Sequence, residues 1–509
     1  MKSRIQSSVL NATSSVVFQI VQLLLRFVIQ NIFIMTLGKS VAGANGLFSN
    51  LLTFLSFTDL GIGSAIIFAL YKPISENNYN VISSLMNMFK KLYIFIGILI
   101  TFLGIVLSFF LPFFVKSGTE IPHMQMLFIL FVLNTSIGYL FSYKQSLLIA
   151  YQLSYVVILN NLLFFVIQTV LQIIVLKFLG SYIGFLIIQI IITILFNAII
   201  TIIADSKFKE IKINKSKKIP EKILIDLKKN ILGTIASKIG FIFVFSTDNI
   251  LISKFLGLSI VGIYSNYALL INGINSVINQ GATALVATFG NLGVSSDEQR
   301  SVDVFYKFQY LIFSLIFFTS INTLVLIQKF IVLWLGISYT LPNVTVFVIV
   351  INFAINLLRL PTLTFINAYG LYYPIRYKSL IEASVNFFVG LALIKFTTLG
   401  VNAVLIGTIV SNITVNLWWE PKVLFQHGLR SPLIKYHIRT LMFTFVMIIT
   451  CGLIYFCGLM NVDSSISIFK FIILLVITSI VSILIFMIIN LRSIEQKYYL
   501  NFLKSAFKN

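Results

Sequence analysis

Charged residues are scarce in this 509-residue sequence, at only 10% Asp, Glu, Lys and Arg. Soluble globular chains contain about 25% charged residues, so this chain has too little charge to cover a water-facing surface. Hydrophobic residues make up 58%, and the mean hydropathy is +1.00. The composition therefore excludes a large soluble domain and predicts an integral membrane protein with most of its surface in lipid.

Acidic residues are scarcer than basic ones. The sequence has 15 Asp and Glu against 37 Lys and Arg, which gives a net charge of +22. In a soluble chain this excess would indicate nucleic-acid binding. In a membrane protein, Lys and Arg instead collect in cytoplasmic links, where they contact anionic lipid head groups. We therefore interpret the charge as a sign of membrane topology and expect no nucleic-acid partner.

Residues that bind metals or act as nucleophiles are also rare. Cys451 and Cys457 lie six residues apart in one predicted helix, on different faces, which argues against a disulfide between them. The three histidines fall in predicted links, and the sequence has no His-Glu-x-x-His motif and no Gly-Lys-Ser/Thr phosphate loop. These absences predict a protein that is not an enzyme and needs no metal or cofactor.

Apolar runs long enough to span a bilayer recur along the whole chain. We predict fourteen transmembrane helices, at 12–37, 45–70, 91–115, 122–142, 152–177, 182–204, 231–255, 259–290, 308–333, 341–369, 379–397, 400–419, 439–461 and 467–490. The expected fold class is all-α integral membrane, with two six-helix lobes around a central cavity and a C-terminal helix pair. The corresponding parts are an N-terminal lobe at 1–204, a basic cytoplasmic linker at 205–230 and a C-terminal lobe at 231–420. The final segment, 421–509, contains a cytoplasmic loop, helices 13 and 14 and a cytoplasmic tail.

The distribution of basic residues predicts the orientation. Even-numbered links and the termini contain 27 Lys and Arg, whereas odd-numbered links contain seven. Because basic residues concentrate in cytoplasmic links, both termini of this multi-pass protein should lie in the cytoplasm. The rich use of Ile, Lys, Asn and Phe is typical of a low-GC bacterium, so the expected location is a bacterial cell membrane. The linker has nine lysines, and apolar residues at helical spacing in its second half indicate a helix on the inner leaflet.

A short motif occurs twice and suggests an internal repeat. The sequence GLFSN at 46–50 is matched by GIYSN at 262–266, and a Leu-Gly pair precedes each copy. Each copy lies at the start of the second helix of a bundle, and the even number of helices between them makes both run in the same direction. We therefore expect two lobes related by an axis along the membrane normal, with Phe48 and Tyr264 at equivalent places.

Ionisable side chains inside predicted helices are the main candidates for function, because each costs about 2.5–3.5 kcal/mol at the bilayer centre unless it is paired or hydrated. Six such residues are Arg26, Asp59, Lys238, Asp248, Arg359 and Glu382. They could form ion pairs that hold helices together, or they could face a wet cavity. We favour the cavity for the three cations and consider the three acids as candidates for ion coupling.

Polar side chains also line one face of the predicted eighth helix. Asn272, Asn275 and Asn279 follow helical spacing, so their amides could bond to neighbouring helices or to sugar hydroxyls. Tyr264 and Tyr267 lie beside this stripe and are placed for stacking on a sugar ring, with packing or a place in the interfacial aromatic belt as the alternative.

The segments 46–77 and 247–292 resemble Wzx-type oligosaccharide flippases, in the polysaccharide-transporter branch of the multidrug/oligosaccharidyl-lipid/polysaccharide exporter superfamily. The order of six helices, basic linker, six helices and a final pair is similar across nearly the whole chain. This resemblance implies alternating-access transport of a polyprenyl-pyrophosphate-linked oligosaccharide for capsule, exopolysaccharide or other envelope polysaccharide synthesis.

The resemblance also implies roles for the candidate residues. Arg26, Lys238 and Arg359 would bind the pyrophosphate, and the three asparagines with Tyr264 would contact the sugars. The implied partners are the lipid-linked oligosaccharide, membrane lipids, a polysaccharide polymerase and glycosyltransferases.

Two alternatives share the fold, a lipid II-type flippase and an H⁺- or Na⁺-coupled multidrug antiporter. In the antiporter Asp59 or Asp248 would bind the coupling ion, but three buried cations argue against a pore for cationic drugs. A membrane scaffold without transport activity would not need buried cations in both halves.

Overall fold

The computed structural model describes residues 4–55, 62–116, 121–211, 247–295, 298–371, 373–461, 466–491 and 493–506. Within these ranges the regular elements are helices and there is no strand. Eleven of the helices are long and apolar enough to cross a membrane. The expected class, an all-α multi-pass membrane protein, is confirmed.

The chain divides into two compact units, Met1–Gly262 and Ile263–Asn509. The helices of the first unit are α1 (Arg4–Leu55), α2 (Ile62–Ser75), α3 (Tyr79–Phe109), the short α4 (Leu111–Phe114), α5 (Met124–Ala150), α6 (Ser154–Leu179), α7 (Tyr182–Lys207) and α8 (residues 247–255). Helix α9 (Leu258–Ser295) starts in the first unit and continues into the second.

The second unit contains the remaining helices. They are α10 (Glu298–Leu335), α11 (Asn343–Leu358), α12 (Leu360–Tyr369), α13 (Lys378–Phe396), α14 (Val401–Ser411), α15 (Leu417–Val423), α16 (Ile434–Phe456), α17 (Ile468–Ile489) and α18 (Ile494–Ala506). A short 3-10 turn, Ile337–Tyr339, precedes α11, and π-helical turns at Asn412–Asn416 and Leu424–Gly428 flank α15.

The described residues contain eleven candidate spans rather than the fourteen predicted, and the positions of the helices explain the difference. Helix α1 contains the first predicted span and the start of the second in one run, broken at Gly38, whose φ is +84°. Most of the seventh predicted span, 231–255, lies outside the described residues. Helix α9 corresponds to the eighth, but its amides and hydroxyls make it less apolar than the eleven spans.

Several helices extend well beyond the predicted boundaries. Helix α3 begins at Tyr79 rather than 91, and α10 begins at Glu298 rather than 308. Hydropathy reports only the part of a helix that lies in lipid, whereas its backbone hydrogen bonds continue into water. The same limit explains why α18, which is polar overall, lies in the segment that the sequence assigns only to a cytoplasmic tail.

Two glycines allow α1 and the first turn of α9 to cross at very short distance. A Cβ on Gly43 would lie 1.8 Å from the Leu258 carbonyl oxygen, and one on Gly262 would lie 2.2 Å from the Lys39 oxygen. The hydroxyls of Ser40 and Ser259 are hydrogen-bonded at 2.8 Å in the same crossing. Only glycine fits at such an approach, as at other close helix crossings in membranes.

This crossing shows the register of the internal repeat. It pairs Gly43 with Gly262, and Gly38 corresponds to Gly257, which also has a positive φ of +99°. The two copies therefore align as LGKSVAG at 37–43 and LGLSIVG at 256–262, 219 residues apart. The expected equivalence of Phe48 with Tyr264 is wrong by three residues, because the counterpart of the buried Phe48 is the buried Tyr267.

Candidate functional site: a buried ion network and an accessible polar face

Four charged side chains form a buried network in the second unit. The Arg359 guanidinium donates to both carboxylate oxygens of Glu420, at 3.2 and 2.6 Å, and to Glu382 at 3.1 Å. The Lys378 ammonium contacts the same two carboxylates, at 2.7 and 3.0 Å. Two cations thus face two anions, and the network has no net charge.

Amide side chains share the acceptor atoms with the cations and extend the network. Asn416 donates to Glu382 at 2.6 Å and to Asn412 at 2.8 Å, and the Asn412 oxygen also accepts from Arg359 at 2.9 Å. Side-chain exposure is 12% for Arg359 and only 1% for Glu420. Buried charges are stable only when they are paired and hydrogen-bonded, and this network meets that condition.

The local backbone explains how the α11–α12 break, α13, the π-helical turn and α15 all contribute side chains to this network. Arg359 lies between α11 and α12, where Pro361 follows in the first turn of α12. Proline cannot donate to the preceding turn, so the helix breaks there. Gly407 of α14 packs directly on α13, since a Cβ would lie 2.9 Å from the Asn386 oxygen. The π-helical turn at Asn412–Asn416 precedes Glu420, which contacts Arg359 at the break between α11 and α12.

A corresponding ion pair holds α5 to α7 in the first unit. The Lys144 ammonium contacts Asp205, and Gln145 donates to Asn197 at 3.0 Å. Arg359, Thr408, Asn412 and Glu420 follow Lys144, Thr193, Asn197 and Asp205 by the same 215 residues. In both units the asparagine amide donates to the threonine carbonyl one turn earlier, at 2.8 and 3.0 Å. The ion pair is therefore part of the repeat.

The structure corrects the expectation for three charged residues. Lys144 and Lys378 were counted among the basic residues of the cytoplasmic links, and Glu420 falls just after the predicted helix 400–419. In the structure each of the three belongs to a helix and is buried. Hydropathy alone places a charge at the nearest helix end, because a partner on another helix is not visible in one segment. The available signal was a threonine, an asparagine four residues later and an acid eight residues after that, a pattern that occurs at both 193–205 and 408–420.

Two of the candidate site residues form an ion pair with each other. Arg359 was expected to bind pyrophosphate and Glu382 to couple an ion, and the structure pairs them. Arg26 differs, because it is exposed in the middle of α1, between the exposed Leu24 and Val28. Asp248 is half-buried in the first turn of α8. Lys238 and Asp59 lie outside the described residues.

The asparagine stripe of α9 lies on an accessible face of the helix. Asn272 and Asn279 are exposed, and Asn275 is half-buried. The Asn279 amide donates to the Asn275 carbonyl of its own helix at 2.8 Å. Within the described part of the chain, these three side chains have no hydrogen bond to another helix, which leaves them accessible to a polar ligand.

The two tyrosines near this stripe differ in their surroundings. Tyr264 is half-buried, whereas Tyr267 is fully buried. The Tyr267 hydroxyl donates to Gln328 at 2.8 Å and accepts from the Leu341 amide at 3.0 Å. Tyr267 therefore holds α9 to α10 and to the turn before α11, and Tyr264 is the tyrosine that a ligand could contact.

Comparison with known proteins identifies the fold. No protein-family model and no curated protein matches the chain. Among solved structures, an inward-facing multidrug resistance MATE transporter of the MOP superfamily is similar, with a TM-score of 0.63, 14% identity, and coverage of 81% of this chain and 98% of that one. The lipid II flippase MurJ in an inward closed conformation is similar with a TM-score of 0.64, 14% identity, and coverage of 95% and 99%.

A third similar structure is a MOP-superfamily transporter from Pyrococcus furiosus, with a TM-score of 0.55, 14% identity, and coverage of 84% and 96%. At this identity the likeness defines the fold alone. The chain thus has the fold of MOP-superfamily transporters, a class of membrane transporters and flippases rather than enzymes.

Proposed function

We propose that this protein is a flippase that moves polyprenyl-pyrophosphate-linked oligosaccharides across the cytoplasmic membrane by alternating access, for the synthesis of an envelope polysaccharide. The observation that supports a lipid-linked substrate most directly is the extent of the structural match. The match to the flippase covers 95% of this chain. The match to the multidrug transporter covers 81% of this chain, although it includes 98% of the transporter.

The charges of the described residues support an anionic substrate over a cationic one. A cation-coupled antiporter needs a carboxylate that can bind H⁺ or Na⁺. Glu382 and Glu420 do not suit this role, because Arg359 and Lys378 neutralise both, which leaves Asp248 as the candidate among the described residues. Arg26 is an exposed cation within an apolar span. A guanidinium binds phosphate oxygens in a bidentate manner, which suits pyrophosphate.

Each candidate residue then has a proposed role. Arg26 and Lys238 contact the pyrophosphate, and Arg359 supports the second unit through its ion network. The amides of Asn272, Asn275 and Asn279, with the ring of Tyr264, contact sugars. Asp59 and Asp248 remain proposed sites for a coupling ion. A polymerase and glycosyltransferases are the proposed partners.

Complementation tests the proposal. The gene should restore polysaccharide export in a bacterial strain whose oligosaccharide flippase has been deleted, and lipid-linked repeat units should no longer accumulate on the cytoplasmic side. A parallel strain depleted of its lipid II flippase separates the two glycan classes. Rescue of only the second strain would assign the protein to lipid II, and rescue of neither, with increased resistance to cationic drugs, would favour the antiporter.

Arg26→Ala should reduce export by about ten-fold or more, since a hydrogen bond to a charged group contributes about 1.5–3 kcal/mol. Arg26→Lys should restore only part of the rate, because an ammonium cannot reproduce the bidentate geometry. Export is measured in the complemented strain at matched protein levels. Thr13→Ala, at an exposed position on another face of the same helix, is a suitable control. Full export by Arg26→Ala would remove this residue from the proposed site.

The proposed orientation makes a separate prediction for cysteine labelling. After Cys457→Ser, which removes the exposed native cysteine, Ser338→Cys should react with a membrane-impermeant maleimide in whole cells. Lys209→Cys, in the basic link after α7, should react only after the cells are opened. The reverse pattern would place both termini outside.

A further inference from the structure

A cavity of about 390 Å³ lies within the second unit, between α10, α16, α17 and α18. Its volume falls in the range of small-molecule sites. The deep part is lined by aromatic and aliphatic side chains, among them Phe313, Phe317, Phe443 and Val446. Polar residues line the other end, where Arg439 and Glu495 form an ion pair at 2.6 Å. The cavity is thus amphipathic along its length.

Helix α18 is fixed over the polar end by side-chain contacts. Gln496 donates to the Met487 carbonyl at 3.1 Å, and the Tyr499 hydroxyl donates to the Lys307 carbonyl at 3.1 Å. The Tyr310 and Tyr499 rings stack at 5.9 Å. Helix α18 therefore covers the polar end of the cavity, which lies at the same end of the helices as the start of α10 and of α16.

Charge at the polar end favours an anion. Lys435 and Arg439 both lie over the Tyr306 ring, at 4.5 and 4.6 Å, and Lys307 lies over the Tyr498 ring at 4.0 Å. Glu495 balances the charge of Arg439 within the lining, so Lys435, beside the lining residue Tyr306, supplies the excess positive charge at this end. A ligand with an apolar chain and a negative head group complements both ends of the cavity.

We propose that this cavity binds an anionic membrane phospholipid, with one acyl chain between α10, α16 and α17 and its phosphate beside Arg439 and Lys435. On the proposed orientation this is the inner leaflet, where anionic lipids attract basic residues. The lipid would join the C-terminal helices to α10. The proposal concerns a resident lipid rather than the transported substrate, so it can be tested without an export assay.

Native mass spectrometry of the purified full-length protein with added phosphatidylglycerol or phosphatidylcholine tests the proposal. Phosphatidylglycerol should give a defined one-lipid adduct. Arg439→Gln should weaken it about ten-fold, the loss expected for one charge-assisted hydrogen bond. Arg430→Gln is the matched control, because Arg430 pairs with Glu298 at an exposed site and should leave the adduct unchanged.

A second pair of variants tests the apolar end. Val446→Trp fills the cavity and should abolish the adduct, whereas Ile449→Trp, on the lipid-exposed side of α16, should not. Equal adducts with both lipids, or an unchanged adduct in Val446→Trp, would overturn the proposal. Displacement of phosphatidylglycerol by an equimolar polyprenyl phosphate would also overturn it and would assign the cavity to the prenyl chain.

Discussion

Glu420→Gln should strongly destabilise the protein. Removing this carboxylate leaves Arg359 and Lys378 with Glu382 alone, so one buried positive charge has no counter-charge. Breaking a buried pair in this way typically costs about 3–5 kcal/mol. Thermal unfolding in detergent, followed by fluorescence, should show a large decrease in the transition temperature relative to the wild type. Export should decrease as the folded fraction decreases.

Glu298→Gln is the matched control, because Glu298 also pairs with an arginine at 3.2 Å but both side chains are exposed. Exposed pairs contribute about 0–1 kcal/mol, so this variant should unfold like the wild type. The double variant Lys378→Met with Glu420→Gln removes one charge of each sign and should regain much of the lost stability. Equal unfolding temperatures for Glu420→Gln and Glu298→Gln would show that the network does not stabilise the fold.

Gly262→Leu should abolish export and destabilise the first unit. Even a Cβ at this position would lie 2.2 Å from the Lys39 carbonyl oxygen and 3.1 Å from the Gly43 nitrogen. These are backbone atoms, which a rotamer change cannot move away. Overpacking costs about 1–3 kcal/mol where the neighbours can relax, and we expect a larger effect where α1 and α9 cross backbone to backbone. The yield of folded protein and the export rate both report the effect.

Gly281→Ala is the control on the same helix, since a Cβ there meets no atom within 4 Å. It should be neutral, or stabilising by up to about 1 kcal/mol, because alanine has the higher helix propensity. Gly43→Leu should reproduce the Gly262→Leu defect, as expected for equivalent positions of a repeat. If the Gly262→Leu variant folded and supported glycan export as well as Gly281→Ala does, the crossing would not be required for the native state.

The fold class could be predicted from hydropathy because lipid constrains each span separately. The second part of α1 and helix α9 were also recognised as related, through GLFSN and GIYSN, but three residues out of register. A five-letter match does not distinguish neighbouring helical registers, and only the contact of Gly43 with Gly262 does. The break at Arg359 was missed because Leu360 and Pro361 are apolar, so the hydropathy of the span continues through them.

The candidate site could be predicted only in part. Arg359 and Glu382 were singled out as ionisable residues within predicted helices, since a charge in an apolar run is visible in the sequence, and both side chains are buried. Their partners Lys378 and Glu420 were not, because each lies near the end of an apolar run, where a charge is expected in water. Whether a charge is paired depends on which helices pack together, and that information is absent from a single segment.

Reconstitution tests the central claim most directly. The purified protein would be incorporated into vesicles that contain a fluorescent polyprenyl-pyrophosphate-linked disaccharide, and a membrane-impermeant quencher would report how much of the probe reaches the outer leaflet. A flippase should make nearly all of the probe accessible, whereas protein-free vesicles should retain the inner half and Arg26→Ala should slow the exchange. Protein-dependent movement of a cationic dye along an ion gradient, with no movement of the lipid-linked sugar, would contradict the proposed function.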